Sequence, residues 1–480
     1  MSVRAAETTA AAAVAQGGAP GALSPPLSGY LAPKPLAIRP PEPSSIASAL
    51  APYGRGGLLA WTPAGATVVL WAMVVLIAMT LAPLLLQGHR RSDFGIYYVW
   101  GYAMRHGVNP YTTDLGPLAA SLGIDLGGFR HANYPAPFIL LFEPLTLLMP
   151  NGANLIWLGL NLALLFFSLE LLLGRLPSGG RPCSRVLWAL ALLYQPVSSN
   201  FYLGQTQVLL LFLLIAALRC SERGRDVAAG SLIGLAGLLK VFPLAALGVF
   251  VLGRRWRVVI SAMGVIFTGL SLTAVILGVR PTLGFVHTLG SVVDRRRFEF
   301  EDGRLISLNA FITRLLLSKH IAATGFFADR ATQRLVVAGV SVVVVALSTL
   351  ATWNVRSARE LSAGFALWVV TAILVSPTAW HHYELLLLIP FALALGDWPH
   401  AGNARAAAAL ALASYALTQA TWFWSAFASP NGGGWLAVVF KEGFFFSLVV
   451  GCIAALMLVR SPGRALVMAA APVGASEPAR

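Results

Sequence analysis

Charge is what this sequence has least of. Of 480 residues, 11% are Asp, Glu, Lys or Arg and 57% are hydrophobic, and the mean hydropathy is +0.74. A water-soluble domain carries about 25% charged residues, so this composition excludes one and calls for a lipid environment. Cysteine is scarce as well. Cys183 falls in a basic loop, Cys220 ends an apolar run and Cys452 lies inside another, which leaves neither a disulfide framework nor a paired metal site. No HExxH or CxxC is present, no DxD and no glycine-rich phosphate loop. The adjacent His381 and His382 point to different helix faces, so no metal is expected, and no cofactor is called for. The formal net charge of +15 is spread in short basic clusters between apolar runs. That pattern reads as membrane topology and contact with anionic lipid head groups, not as nucleic-acid binding.

What is there in quantity is apolar sequence. Candidate spans run over about 64–87, 151–174, 186–200, 205–220, 227–240, 241–252, 257–279, 331–353, 362–376, 380–396, 404–424 and 435–459. These join into one all-α membrane domain over 61–460. Residues 1–60, rich in Ala, Pro and Ser, and residues 461–480 are expected to be disordered cytoplasmic tails. No compact apolar core with a cleavage site follows the first basic residue, so a signal peptide is not expected. With the amino terminus inside, the cytoplasmic loops collect Arg175, Arg181 and Arg185, then Arg219, Arg223 and Arg225, then Arg254, Arg255 and Arg257, with Arg356, Arg359, Arg405, Arg460 and Arg464 further on. This positive-inside agreement requires 227–252 to be two short helices meeting near Lys240. The long loop 280–330 then falls outside, carrying "DRRR" (294–297), Arg314 and Lys319. Its arginines read either as a solvated face or as a trap for an anionic lipid phosphate.

On that topology the unusual polar residues gather at the outer surface. Asp93 follows the first span, "NYPAPFILLFEPL" (133–145) enters the second, and "NFYLGQTQ" (200–207) joins two short ones. Lys240 with Pro243 breaks a helix pair, "SLNAFITR" (307–314) closes the long loop, and "SPTAWHHYE" (376–384) joins two later spans. Polar groups at membrane depth cost about 2.5–3.5 kcal/mol each and usually face a cavity or a partner. Each has a plain alternative. Asp93 could cap a helix as readily as act as a base. Tyr97, Tyr98, Trp100 and Tyr102 could form only an interfacial belt. Lys240 could snorkel to a head group. Asn309 and Arg314 could satisfy loop backbone, and either histidine taken singly reads as interfacial. Glu384, three residues after His381, could orient that imidazole or pair with Lys240.

Taken in order, these segments resemble glycosyltransferase family 87. The resemblance covers about residues 90–400 and rests on Asp93 with its aromatics and "GVNPY", "YPAPF", "GQTQ", a Gly-rich helix ending "LLKVFP", the Asn/Arg loop and "SPTAWHHY". It implies a GT-C type polytopic bundle of about 10–12 transmembrane helices, with amphipathic helices in the outer loops and an extracytoplasmic active site in the inner (plasma) membrane. It implies Asp93 as the catalytic base, and Lys240 with His381 or His382 as ligands of the lipid donor's phosphate. Gln205 matches the family's "GQ" turn. Asn109, Tyr111, Tyr134 and Asn309 fall in matching segments and are expected, with Tyr97, Tyr98 and Gln205, to face substrate.

One carboxylate suffices for an inverting single displacement; a double displacement would need a second acid, and Asp114 and Asp125 look like turn residues. A departing lipid phosphate needs cations and donors placed in advance, for which Lys240, Arg314 and the histidines are the candidates. The expected reaction is transfer of a hexose, mannose by resemblance, from a polyprenyl-phosphate donor to a lipid or glycan acceptor, with membrane lipids as surroundings. A surface-polysaccharide polymerase or ligase using "DRRR", and a lipid or solute transporter with broken helices, are the rival readings.

Overall fold

The computed structural model describes residues 92–173, 188–286, 303–317, 330–397, 403–427 and 442–460, with a few positions in 67–76. These all belong to one compact unit, Pro40–Arg480. Both expected tails, most of the first candidate span and the "DRRR" run lie outside the described residues.

The fold is helical throughout the described residues, with one isolated antiparallel bridge between Leu305 and Trp380. The helices are α1 (Asp93–Arg105), α2 (Gly116–Ser121), α3 (Ala136–Phe142), α4 (Pro150–Leu173), α5 (Gln195–Leu203), α6 (Gln207–Glu222), α7 (Asp226–Leu239) and α8 (Leu247–Leu252). They continue as α9 (Trp256–Leu277), α10 (Leu308–Leu317), α11 (Arg330–Thr352), α12 (Ala358–Val375), α13 (Leu388–Asp397), α14 (Asn403–Phe427) and α15 (Gly443–Val459). Among the described residues, four stretches are long and apolar enough to cross a membrane: Pro150–Leu173, Trp256–Leu277, Ala331–Thr352 and Ala358–Val375. Their outward faces say the same. Ile260, Met263, Phe267 and Val275 on α9, and Leu335, Val342, Val343 and Leu350 on α11, stand exposed, as side chains do when the surrounding medium is as apolar as they are. The chain is a membrane protein.

Most expected spans appear with ends shifted by one to four residues; the first seven residues of the one expected at 435–459 lie outside the described residues, and two others differ for identifiable reasons. The stretch 186–200 is not one helix. Helical residues 188–193 stop at Tyr194, and Pro196 in the first turn of α5 opens a new helix. The span expected at 362 begins at Ala358, because Ser357 and Glu360 form a reciprocal capping box that hydropathy does not register. The break at Lys240 is as expected. Its backbone is extended (φ −143°, ψ 139°), and a 3-10 turn over Phe242–Ala246 leads into α8.

α12 sits at the centre and is buried along almost its whole length, against α11, α15 and the turn 242–246. Small residues bring backbones together elsewhere. A Cβ on Gly230 would lie 2.0 Å from Val258 O, and one on Gly234 would lie 2.6 Å from Ala262 O, so α7 and α9 touch main chain to main chain. Hydroxyls stitch α14 to α15, with Ser414 Oγ donating to Ser447 O at 2.8 Å and Thr418 and Ser447 hydroxyls 2.6 Å apart.

Two expectations for the outer elements change. α1 is buried on nearly every side, not along one stripe, because its rings enter an aromatic cluster with Tyr134, Phe138, Phe142 and Trp157. Arg314, assigned above to the donor phosphate, is 2% exposed and bound in a bidentate pair to Glu442, with Nε to Oε1 at 2.6 Å and Nη2 to Oε2 at 2.5 Å. It also donates to Leu305 O at 3.0 Å. The fork is committed to fastening α10 to the start of α15.

Two outcomes follow. Gly234→Leu forces α7 off α9 and lowers the unfolding midpoint in detergent, by the equivalent of about 1–3 kcal/mol. Arg314→Met, which strands Glu442 in a dry site, costs about 3–5 kcal/mol, and adding Glu442→Leu restores most of that loss. A thermal-unfolding series on the three proteins checks it, and an unimproved double variant would count against a purely structural pair.

Candidate active site

The site is assembled around the turn "GQTQ". Gly204 ends α5 in the left-handed region (φ 67°, ψ 34°). A Cβ there would lie 2.5 Å from the Cβ of Phe94, so only glycine lets this turn press against the first turn of α1. Trp157 of α4 donates its indole N–H to Gly204 O at 2.9 Å. Asn200 locks the far side, accepting from Gln205 N on its carbonyl (2.9 Å) and from Gln207 N on its side chain (3.0 Å). Gln205, Thr206 and Gln207 are thereby buried.

Across the turn stands Asp93. Ser92, extended, caps α1 by accepting from Gly95 N at 3.3 Å. Capping is therefore done by the serine, and the half-buried Asp93 occupies the first helical turn, where the helix dipole favours an anion. Gln205 Nε2 donates to Asp93 Oδ2 at 2.5 Å. Gln205 Oε1 accepts from Tyr97 Oη at 2.9 Å and from Lys240 Nζ at 3.3 Å. Burial first, then Tyr134 and Asp93 beside it, push the Tyr97 phenol well above its ordinary range, so it keeps its proton and donates.

Lys240 is 3% exposed and does not snorkel. Because α7 ends at Leu239, its extended residue turns the side chain inward. Nζ also donates to Gln207 Oε1 (3.1 Å) and Tyr383 Oη (3.3 Å). It lies 5.0 Å from the ring centre of Tyr134 and 4.6 Å from that of Tyr383, within cation–π range.

The histidines arrive on a 3-10 turn, His381–Leu387. Backbone bonds from Ile306 N to Ala379 O (2.7 Å) and from His381 N to Arg304 O (2.8 Å) lay "SLNAF" alongside "SPTAW" and set that turn. His381 Nε2 lies 2.8 Å from Ser199 Oγ. His382 is 2% exposed, and neither of its ring nitrogens has a hydrogen-bond partner. Gln207 Nε2 is a second buried donor without one. Unpartnered polar atoms so placed are costly unless something binds there. Glu384 neither orients His381 nor pairs with Lys240; its Oε2 accepts from Thr418 at 3.0 Å.

The structure thus joins Asp93, Tyr97, Gln205 and Lys240 in one network over the Tyr134 ring, with the histidine turn attached through Tyr383. Other expected residues have local employment. Asn109 accepts from Tyr111 N in a turn (3.0 Å), Tyr111 donates to Tyr134 O (2.7 Å), and Tyr98 donates to Leu148 O (2.8 Å). Asn309 donates to Pro377 O and accepts from Gln333, both at 3.1 Å. Asp114 and Asp125 accept from Gly116 N and Gly127 N, as turn residues do, and the Gly116 N–H with Arg130 holds the Asp114 carboxyl low. Gln207, Tyr383, Ser199 and Trp157 were missed. Gln207 and Tyr383 sit inside "GQTQ" and "SPTAWHHYE", whereas Trp157 gives no signal in its apolar span. Among the described residues, no three His, Cys, Asp or Glu side chains group as a metal site.

Comparison with known proteins bears on this arrangement. Over 259 residues, 53% of this chain, the sequence is 27% identical to a polyprenol-phosphate-mannose-dependent alpha-(1-2)-phosphatidylinositol pentamannoside mannosyltransferase of Mycolicibacterium smegmatis. That match spans 58% of the relative's length. Over 366 residues, 72% of this chain and 80% of the relative, it is 27% identical to the corresponding phosphatidylinositol mannoside mannosyltransferase of Mycobacterium tuberculosis. No solved structure matches. The profile of glycosyltransferase family 87 matches residues 133–377, more than half of the sequence and inclusive of Tyr134, Gln205 and Lys240. With a match over more than half of its length, the chain belongs to glycosyltransferase family 87.

Proposed function

We propose that this protein transfers a hexose, mannose by analogy with its relatives, from a polyprenyl-phosphate donor to a hydroxyl of a lipid or glycan acceptor. A phosphatidylinositol mannoside is the acceptor class suggested by the relatives' names. The site opens on the extracytoplasmic face of the plasma membrane. The observation that carries this reading is the single amide of Gln205 lying between a carboxylate and a buried ammonium.

In the reaction, the Asp93 carboxylate takes the proton of the acceptor hydroxyl as its oxygen bonds to the anomeric carbon. The bond from that carbon to the phosphate oxygen breaks on the opposite face, and its electron pair leaves with the lipid phosphate. One carboxylate and one displacement invert the anomeric centre. Lys240 meets the developing charge on the phosphate. His382 and the Gln207 amide, buried donors without protein partners, complete its cradle. His381, engaged by Ser199, supports its neighbour from behind. Tyr134, whose ring already lies near Lys240, stands where a sugar face can stack.

Asp93→Asn is expected to lower transfer by about 100- to 10,000-fold while leaving the unfolding midpoint unchanged. Membranes supplied with radiolabelled polyprenyl-phosphate mannose, and in parallel with a nucleotide-linked sugar, provide the assay. Retained activity in the purified variant rejects the base assignment, and preference for the nucleotide sugar rejects the donor. Lys240→Met is expected to cost about 100-fold in kcat/KM for the lipid donor, with little change in the KM of the acceptor. Equal losses toward both substrates would show a general collapse of the site instead.

A further inference from the structure

A neutral amide stands where a direct ion pair between Asp93 and Lys240 would be electrostatically stronger. Its geometry leaves little freedom. Gln205 is 3% exposed, and its backbone is held by Asn200 O and by the Gly204 turn. Its carbonyl oxygen has two lone pairs, and two donors occupy them, Tyr97 Oη at 2.9 Å and Lys240 Nζ at 3.3 Å. The ammonium can only donate, and the protonated phenol donates here. The flip state of the amide is therefore dictated: oxygen toward phenol and ammonium, nitrogen toward the carboxylate. Reversed, the amide would set oxygen against oxygen at Asp93 and nitrogen against the ammonium.

We propose that Gln205 is a positioning residue and not a substrate ligand: its amide, locked by Tyr97 and Lys240, holds the Asp93 carboxylate ionised and aimed while keeping Lys240 out of a direct ion pair. A hydrogen bond donated to the charged form of an acid favours that form, so the base stays ready at neutral pH. A full ion pair would do this too strongly. It would also consume the cation that the departing phosphate needs.

The catalytic half of this inference rests on Asp93 being the base; the electrostatic half does not. Among the described residues, the groups that face Asp93 include Tyr97 on its own helix, Gln205 on the turn, Lys240 after α7 and, beyond them, Tyr134 and Tyr383; the basic residues just before Ser92 lie outside the described residues. Glu143 meets α1 at Gly101, two turns away, and Arg105 is committed to Thr146 O.

The test reads the carboxyl directly. In full-length protein labelled with 13C-carboxyl aspartate, the resonance missing from Asp93→Asn is followed with pH. Gln205→Met, which cannot donate, is expected to raise its titration by about one to two pH units. Tyr97→Phe removes one of the two locks and only a hydroxyl, and is expected to shift it the same way by less. The acid limb of the transfer rate moves in parallel in both variants. An unmoved titration in both overturns the inference, whatever the role of Asp93. A uniform fall in rate with an unmoved acid limb also overturns it, since that is what a merely structural amide would give. Shifted titrations together with an active Asp93→Asn protein would uphold the amide's role and reject the base instead.

Discussion

A lysine ammonium cannot be left bare inside an apolar bundle, and the way Lys240 is accommodated governs much else in this protein. Removing an ammonium from water is affordable only with acceptors and matching charge around it. Here two glutamine oxygens, one phenol and two ring faces do so. The glutamines must then lie two residues apart on a buried turn, and that turn needs Gly204, Asn200 and the indole of Trp157. The lysine must leave its helix, which is why α7 ends at Leu239 and backbone runs extended through the core.

The carboxylate side is built on different material. α1 is wedged among Tyr134, Phe138, Phe142 and Trp157, with Phe94 and Phe142 edge to face at 6.2 Å. That packing, more than any polar bond, fixes the first turn of α1 against the glutamine turn. Base and cation thus come from segments almost 150 residues apart, and their spacing depends on rings and glycine as much as on charge.

Much of this was legible in the residues. Hydropathy located most spans, and the positive-inside bias required two helices to meet at Lys240, as they do. The order of Asp93, "GQTQ" and "LLKVFP" indicated residues that converge. What escaped was partnership. Nothing local to Arg314 announces Glu442, 128 positions later, so a structural fork looked like a phosphate ligand. Asn109 sits in a family-like motif yet spends its oxygen on the backbone two residues on. Glu384 looked like company for His381 or Lys240, and a hydroxyl on α14 claimed it. Apolar patterning reports that a side chain is buried; it does not report what it is buried against. The break at Tyr194 escaped because hydropathy averages over a single proline.

The unwound stretch at Lys240 bears on how the protein is made. α7 has 14 residues and α8 has six, about 21 and 9 Å of helix against a hydrocarbon thickness near 30 Å. Neither would partition stably from the translocon alone. Each must wait for α9 and α12 to shelter it, so the ammonium enters lipid only when its cradle is already at hand. Substitutions in that cradle therefore bear on insertion as well as on the finished site.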